Sequence, residues 1–203
     1  MGTLFLVRHC ATEASTDGRY CGHLDLTLTR EGHAQAQVLA AFLVERRPTS
    51  LFVSPLQRAK QTAAPLADVS GLPVEQLDDM AELDFGAWDG LTEEEMRKDD
   101  AERLERWRAN PEDVAPPRGE TIRDVAQRAC RALDHIQHKD PSGVSVAFAH
   151  KTFNRVLVSM LEDLPLQNYR RSVPQPVGSI NIIDWRAGEQ PRIRGVGLTG
   201  HIG

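Results

Sequence analysis

The sequence predicts an α/β fold with three layers, a doubly wound and mostly parallel central sheet flanked by helices. Two observations carry that prediction. Short apolar runs alternate with longer segments whose apolar residues recur at helical spacing, the order expected of strand–helix–strand units. Three of the runs also end abruptly in polar or charged residues, at Arg8-His9, Ser54 and His150-Lys151. In open α/β sheets, ligands bind just beyond the carboxyl ends of the strands.

The first run, Leu4 to Val7, reads as a buried strand that stops at a cation and an imidazole, groups a buried strand does not carry without a use for them. Glu13 to Leu28, with Gly18 and Gly22, keeps no period and reads as an ordered loop at the sheet edge. Thr29 has the chemistry of an N-cap. Ala34, Val38, Leu39 and Phe42 follow at helical spacing, and Arg46-Arg47-Pro48 ends that helix. Ser50 to Val53 is a second strand, leading through Ser54-Pro55 into a helix from about Leu56 that carries Arg58.

Val74 to Leu77 reads as a third strand, and Met80 to Gly90 as a loop holding Glu82, Phe85 and Trp88. Thr92 to Asn110 is dense in charge and helical, with Met96, Leu104 and Trp107 as its apolar side. Asp113 to Gly119, with Pro116-Pro117, is a linker. Thr121 and Asp124 form a capping box ahead of a helix whose buried face is Ile122, Val125, Ala129, Leu133 and Ile136. Val144 to Ala149 is a strand ending at His150-Lys151, followed by a helix from Thr152 to about Glu162. Ile180 to Trp185 and Arg192 to Val196 close the sheet.

With 203 residues the chain fits one domain, 1–203, large enough for its own core. A net charge of −5 with no basic block argues against a nucleic-acid partner. No apolar leader precedes the first strand, and no apolar run approaches about 18 residues, so neither a membrane span nor export is expected. Cys10, Cys21 and Cys130 have no metal-ligand spacing and cannot all pair with one another, which suits a reducing compartment. The expected location is the cytoplasm.

Parallel strands would bring the three polar strand ends to one edge of the sheet. Arg8, Arg58, His9 and His150 around one hollow would make an anion site, because guanidinium groups match phosphate oxygens with planar, paired donors. Glu82 could supply a proton there. The runs Glu93-Glu94-Glu95 and Lys98-Asp99-Asp100 read as a solvated helix face, His33, His135 and His138 as surface residues, and Trp88 and Trp107 as packing residues.

Leu6-Val7-Arg8-His9-Cys10-Ala11-Thr12 resembles the Arg-His-Gly-x-Thr signature of the histidine phosphatase superfamily, also called the phosphoglycerate mutase-like family. Tyr20-Cys21-Gly22-His23, Ser54 to Thr62, Glu82 to Gly90, Gly119-Glu120-Thr121 and Ala149-His150 are similar to its later segments, in the family's order. The resemblance implies a nucleophilic His9 that forms a phosphohistidine. Arg8, Arg58 and His150 would hold the phosphoryl oxygens, and Glu82 would protonate the leaving alkoxide and then activate water. No metal or other cofactor is implied. Ser15, Cys21, Gly22 and Lys151 are added as phosphate- or substrate-binding residues, His23 as a rim residue, and the segment 92–118 as a small helical cap over the pocket. Arg103, Arg106 and Arg108 in that cap are candidates to select an acidic leaving group.

Cys10 stands where the family carries glycine, Ser15 where many members carry asparagine, and Lys151 where glycine commonly follows the second histidine. Cys10 could crowd the phosphate or be open to oxidation, or simply be tolerated. None of these departures removes a residue the reaction needs. The expectation is a phosphomonoesterase acting on a small-molecule phosphate ester, α-ribazole 5′-phosphate or phosphoserine among the candidates, with a homodimer as the assembly relatives often adopt. A phosphoglycerate mutase is the first alternative, disfavoured because an Arg-His-Tyr-Gly run is missing after Glu82. A catalytically silent phospho-ligand-binding protein is the second.

Overall fold

The computed structural model describes residues 1–15 and 18–201, so the loop expected over 13–28 is described except for positions 16 and 17. One mixed sheet has β1 (Gly2–Arg8) near its centre, paired on one side with β4 (Val144–Ala149) and on the other with β5 (Ile180–Trp185). Beyond β4 come β2 (Ser50–Val53) and β3 (Val74–Gln76), and beyond β5 lies β6 (Arg192–Leu198). The order is β3-β2-β4-β1-β5-β6. β1, β2, β3 and β4 are mutually parallel, whereas β5 runs antiparallel to β1 and β6 antiparallel to β5.

Both faces of the sheet are covered, which explains why its strands read as unbroken apolar runs. Side chains alternate across it. Leu4, Leu6, Phe52, Ala147 and Ala149 pack with α4 (Ile122–Lys139) and α5 (Lys151–Leu161). Phe5, Val7, Leu51, Val53, Val146 and Phe148 pack with α1 (Arg30–Val44) and α2 (Gln57–Ser70). Each large apolar side chain so buried contributes about 1.5–3 kcal/mol.

Thr29 caps α1 by accepting the Gly32 N–H at 3.0 Å, as its chemistry foretold. The buried face of α1 differs from the expected one: it is Ala36, Leu39, Ala40 and Leu43, while Ala34 and Val38 face solvent. Small residues decide this, because Ala36 and Ala40 let α1 approach Ala59 and Ala63 of α2 in the same packed cluster.

α3 (Glu93–Ala109) begins with a reciprocal capping box between Thr92 and Glu95 and buries Met96, Leu104 and Trp107. It kinks at Asp100, whose carboxylate accepts the Arg103 N–H and so caps the second half. The box at Thr121 and Asp124 is present at the start of α4, whose buried face includes all five expected residues. A four-residue helix, α6 (Tyr169–Ser172), was not foreseen. Among the described residues, no helix is long and apolar enough to cross a membrane.

Candidate active site

Parallel register puts Arg8 opposite Ala149, so the ends of β1 and β4 lie side by side. The His9 N–H donates to the Ala149 carbonyl at 3.0 Å, and the rings of His9 and His150 stand 5.3 Å apart, centre to centre. α2, entered directly from β2, brings Arg58 to the same edge. A cavity of about 320 Å³ opens there, with Arg8, His9, Arg58 and Glu82 on its wall.

His9 is held in one tautomer. Its Nδ1 lies 2.8 Å from the Cys10 carbonyl oxygen, which can only accept, so Nδ1 carries the proton and Nε2 keeps its lone pair. Burial, then the neighbouring Arg58 and Arg8, push the His9 pKa well below its ordinary 6.5. The ring is therefore neutral at physiological pH. His150 is pushed the same way by burial, Arg58 and the adjoining His9. Its Nε2 pairs with Ser54 Oγ at 2.6 Å, while Nδ1 has no hydrogen-bond partner among the described residues. His150 is wholly buried against His9 and does not form part of the cavity wall.

Both arginines are fixed by carbonyl oxygens. Arg8 donates to Gln175 O at 2.6 Å, and burial lowers its pKa to about 10, leaving it cationic at neutral pH. Arg58 donates to Leu24 O at 2.8 Å and to Gly22 O at 2.7 Å. A guanidinium has five N–H donors, so three of those on Arg58 remain for other acceptors. The accepting loop is itself tied down: the backbone N–H groups of Gly22, His23 and Leu24 all donate to the Asp89 carboxylate, at 2.7–2.8 Å.

Glu82 sits across the cavity with three backbone donors. Oε1 accepts from Leu83 at 2.8 Å and Phe153 at 3.3 Å, and Oε2 from Thr152 at 3.0 Å. Two of those donors belong to the first turn of α5, where His150 is the N-cap but provides no side-chain cap. Glu82 supplies that missing cap from a distant loop. Its own backbone is clamped as well, since its carbonyl accepts from Arg128 and from the His23 ring, each at 3.0 Å. Arg128 also donates to the carbonyls of Asp79 and Ala81 and forms a two-pronged pair with Glu120.

Ser15, Cys21 and Lys151 lie on the cavity wall. Gly22 does not. It stands behind the wall, where its carbonyl holds Arg58, and an added Cβ would come within 2.3 Å of Leu83 O. His23 likewise serves Glu82 rather than the rim. No residue of 92–118 lines the cavity: Arg108 pairs with Glu93, Arg106 with Glu102, and Arg103 donates to Ala115 O. The segment supports the wall from outside, with Trp107 edge-on to Tyr20 at 5.8 Å and to Trp88 at 5.6 Å. Cys10 is buried in the core against α1 and α2, away from the cavity, and burial pushes its thiol up to about 11.

Sequence reasoning missed Arg155, Tyr169 and Arg170, all on the wall. Arg155 had a legible signal, one helical turn after Lys151. Tyr169 and Arg170 had none, since α6 is too short to show a period. Among the described residues, no three His, Cys, Asp or Glu side chains are grouped so as to hold a metal ion.

A neutral histidine with a bare ring nitrogen, set beside two arginines and a carboxylate at the carboxyl ends of parallel strands, defines an α/β protein with an imidazole inside a cationic hollow. The family is equally definite. The chain belongs to the histidine phosphatase superfamily, whose branch 1 model matches residues 4–198. It is 33% identical over 200 residues to a bifunctional protein of Mycobacterium tuberculosis, covering 98% of this chain but only 54% of that relative. It is 31% identical over 169 residues to phosphoserine phosphatase 1 of Hydrogenobacter thermophilus, covering 83% of this chain and 80% of the relative. An adenosylcobalamin/alpha-ribazole phosphatase of Escherichia coli is 28% identical, with 81% of each covered. The solved structure of Bacillus stearothermophilus YhfR superposes with a TM-score of 0.92 at 28% identity, over the whole of both chains.

Proposed function

We propose that this protein is a phosphomonoesterase that hydrolyses small phosphate esters through a phosphohistidine on His9. The observation that carries the reading is the His9 tautomer: Nδ1–H bound to the Cys10 carbonyl leaves Nε2 as an in-line nucleophile at neutral pH. In the first step Nε2 bonds to phosphorus as the ester P–O bond breaks, and Glu82 gives its proton to the departing alkoxide. In the second step water attacks phosphorus, loses its proton to Glu82, and breaks the N–P bond to release inorganic phosphate.

Arg8 and Arg58 neutralise the phosphoryl oxygens throughout; loss of one such preorganised donor typically costs about 10²–10³ in rate. His150 backs the nucleophile, keeping a second neutral ring against it. Phosphoserine and α-ribazole 5′-phosphate remain candidate substrates.

The test is phosphate release from a panel containing an aryl phosphate, phosphoserine, 3-phosphoglycerate, sugar phosphates and α-ribazole 5′-phosphate, with a chelator present. The expected result is chelator-resistant release that falls to background in a folded His9→Ala variant. Near-normal turnover by that variant would show that His9 is not the nucleophile. Isomerisation of 3-phosphoglycerate without phosphate release would identify a mutase instead.

A further inference from the structure

The cavity wall carries more positive charge than one phosphoryl group needs. Arg8 and Arg58 beside His9 are enough to offset a phosphate dianion. Lys151, Arg155 and Arg170 also line the cavity, and among the described residues none of the three has an ion-pair partner. Arg19, on the same wall, is different, because it is paired with Glu95 at 2.9 Å. The one carboxylate on the described wall, Glu82, is occupied by three backbone N–H groups and reserved for the leaving oxygen.

The three cations are placed as a receptor rather than scattered. Lys151 and Arg155 are one helical turn apart in the first turns of α5, an arrangement that both like-charge repulsion and the helix dipole disfavour. Arg155 Nε donates to Val173 O at 2.9 Å, which fixes the plane of its guanidinium. Arg170 lies 4.0 Å over the Trp107 ring, and its buried Nη2 has no hydrogen-bond partner among the described residues. Burial lowers the pKa values of Lys151 and Arg155; Arg155 and Arg8 add to that effect at Lys151, while Tyr169 and Glu82 oppose it at Arg155.

We infer that Lys151, Arg155 and Arg170 form a subsite for a second anionic group, a carboxylate or a second phosphate, on the leaving group of the substrate. The inference rests on the phosphomonoesterase reading and narrows it: esters of neutral alcohols are the poorer substrates. It also moves the acidic-substrate selection that the sequence suggested for Arg103, Arg106 and Arg108 to different residues.

Matched pairs of esters test it on the unaltered protein. 3-Phosphoglycerate and glycerol 3-phosphate differ by a carboxylate against a hydroxymethyl group; fructose 1,6-bisphosphate and fructose 6-phosphate differ by a second phosphate. The expected result is a kcat/KM at least about tenfold higher for the anionic member of one pair, and which pair responds tells carboxylate from phosphate. Arg155→Gln and Lys151→Gln, verified as folded by circular dichroism, should each shrink that preference by about fivefold or more. Equal or better turnover of the neutral members, or a preference untouched by both variants, overturns the subsite and leaves the phosphomonoesterase standing. Failure to release phosphate from any ester overturns both.

Discussion

His9 and His150 are two imidazoles kept uncharged in a place crowded with arginine. Their folded-state pKa values lie well below 6.5, chiefly through burial, whereas in the unfolded chain each returns to about 6.5. Below that pH the unfolded chain binds protons that the folded protein refuses. Unfolding free energy should therefore fall as pH drops from 7 towards 5.5, with a limiting slope of about 1.4 kcal/mol per pH unit for each ring. Above pH 7 the pair adds no slope. Urea unfolding at pH 7.5, 6.5 and 5.5 measures this, and a His9→Asn variant should show a shallower decline. Stability that holds constant across that range would mean that these rings take up protons in the folded state as readily as in the unfolded chain. Cys10, by contrast, needs no protection by chemistry: its thiol is buried and held protonated, so a thiol reagent should modify exposed Cys130 in the native protein and Cys10 only after unfolding.

Between residues and molecule, the working units are loops held by single carboxylates and single arginines. Asp89 collects three consecutive N–H groups from Gly22 to Leu24, and that loop presents two carbonyls to Arg58. Close approach makes the arrangement possible, because Gly22 lies against Leu83 and Gly86, with φ +54°, lies against Pro117 O. Asp89 is accordingly a positioning residue for Arg58. Asp89→Ala should weaken the binding of inorganic phosphate about tenfold with native circular dichroism, and Asp89→Asn, which keeps an accepting oxygen, should fall between. Titration calorimetry with phosphate decides it; unchanged affinity in the alanine variant would leave Asp89 a purely structural tie. Arg128 plays the matching part for Glu82, clamping three carbonyls of residues 79–82.

At the scale of the whole molecule, what the sequence made legible was whatever has a period or a sharp boundary. β2, β4 and β5 begin and end where their apolar runs do, and α4 buries the face its spacing marked. Arg8, His9 and Arg58 were readable because strand ends and a family signature both point to them, Glu82 through the family signature alone, and the fold puts all four on one wall. The missed features share a different physics. Asp89 and Arg128 act through hydrogen bonds to backbone groups tens of residues away, which leave no pattern in side-chain order. Arg170 matters because a short helix happens to pass Trp107. The rotated face of α1 was lost because alanine is equally at home in a core or in water.

The place of β1 in the sheet has a consequence for how the protein comes into being. Its two neighbours are β4 and β5, and Thr3 pairs with Val144, 141 positions further along. Closing so long a loop is entropically late and slow. During synthesis Arg8 and His9 leave the ribosome well before either strand that flanks them, so β1 has no neighbour until β4 and β5 have followed. A half-made chain thus carries His9 as an ordinary, protonatable surface group. The buried, neutral His9 ring arrives only with β4 and β5, when the nascent protein closes around β1.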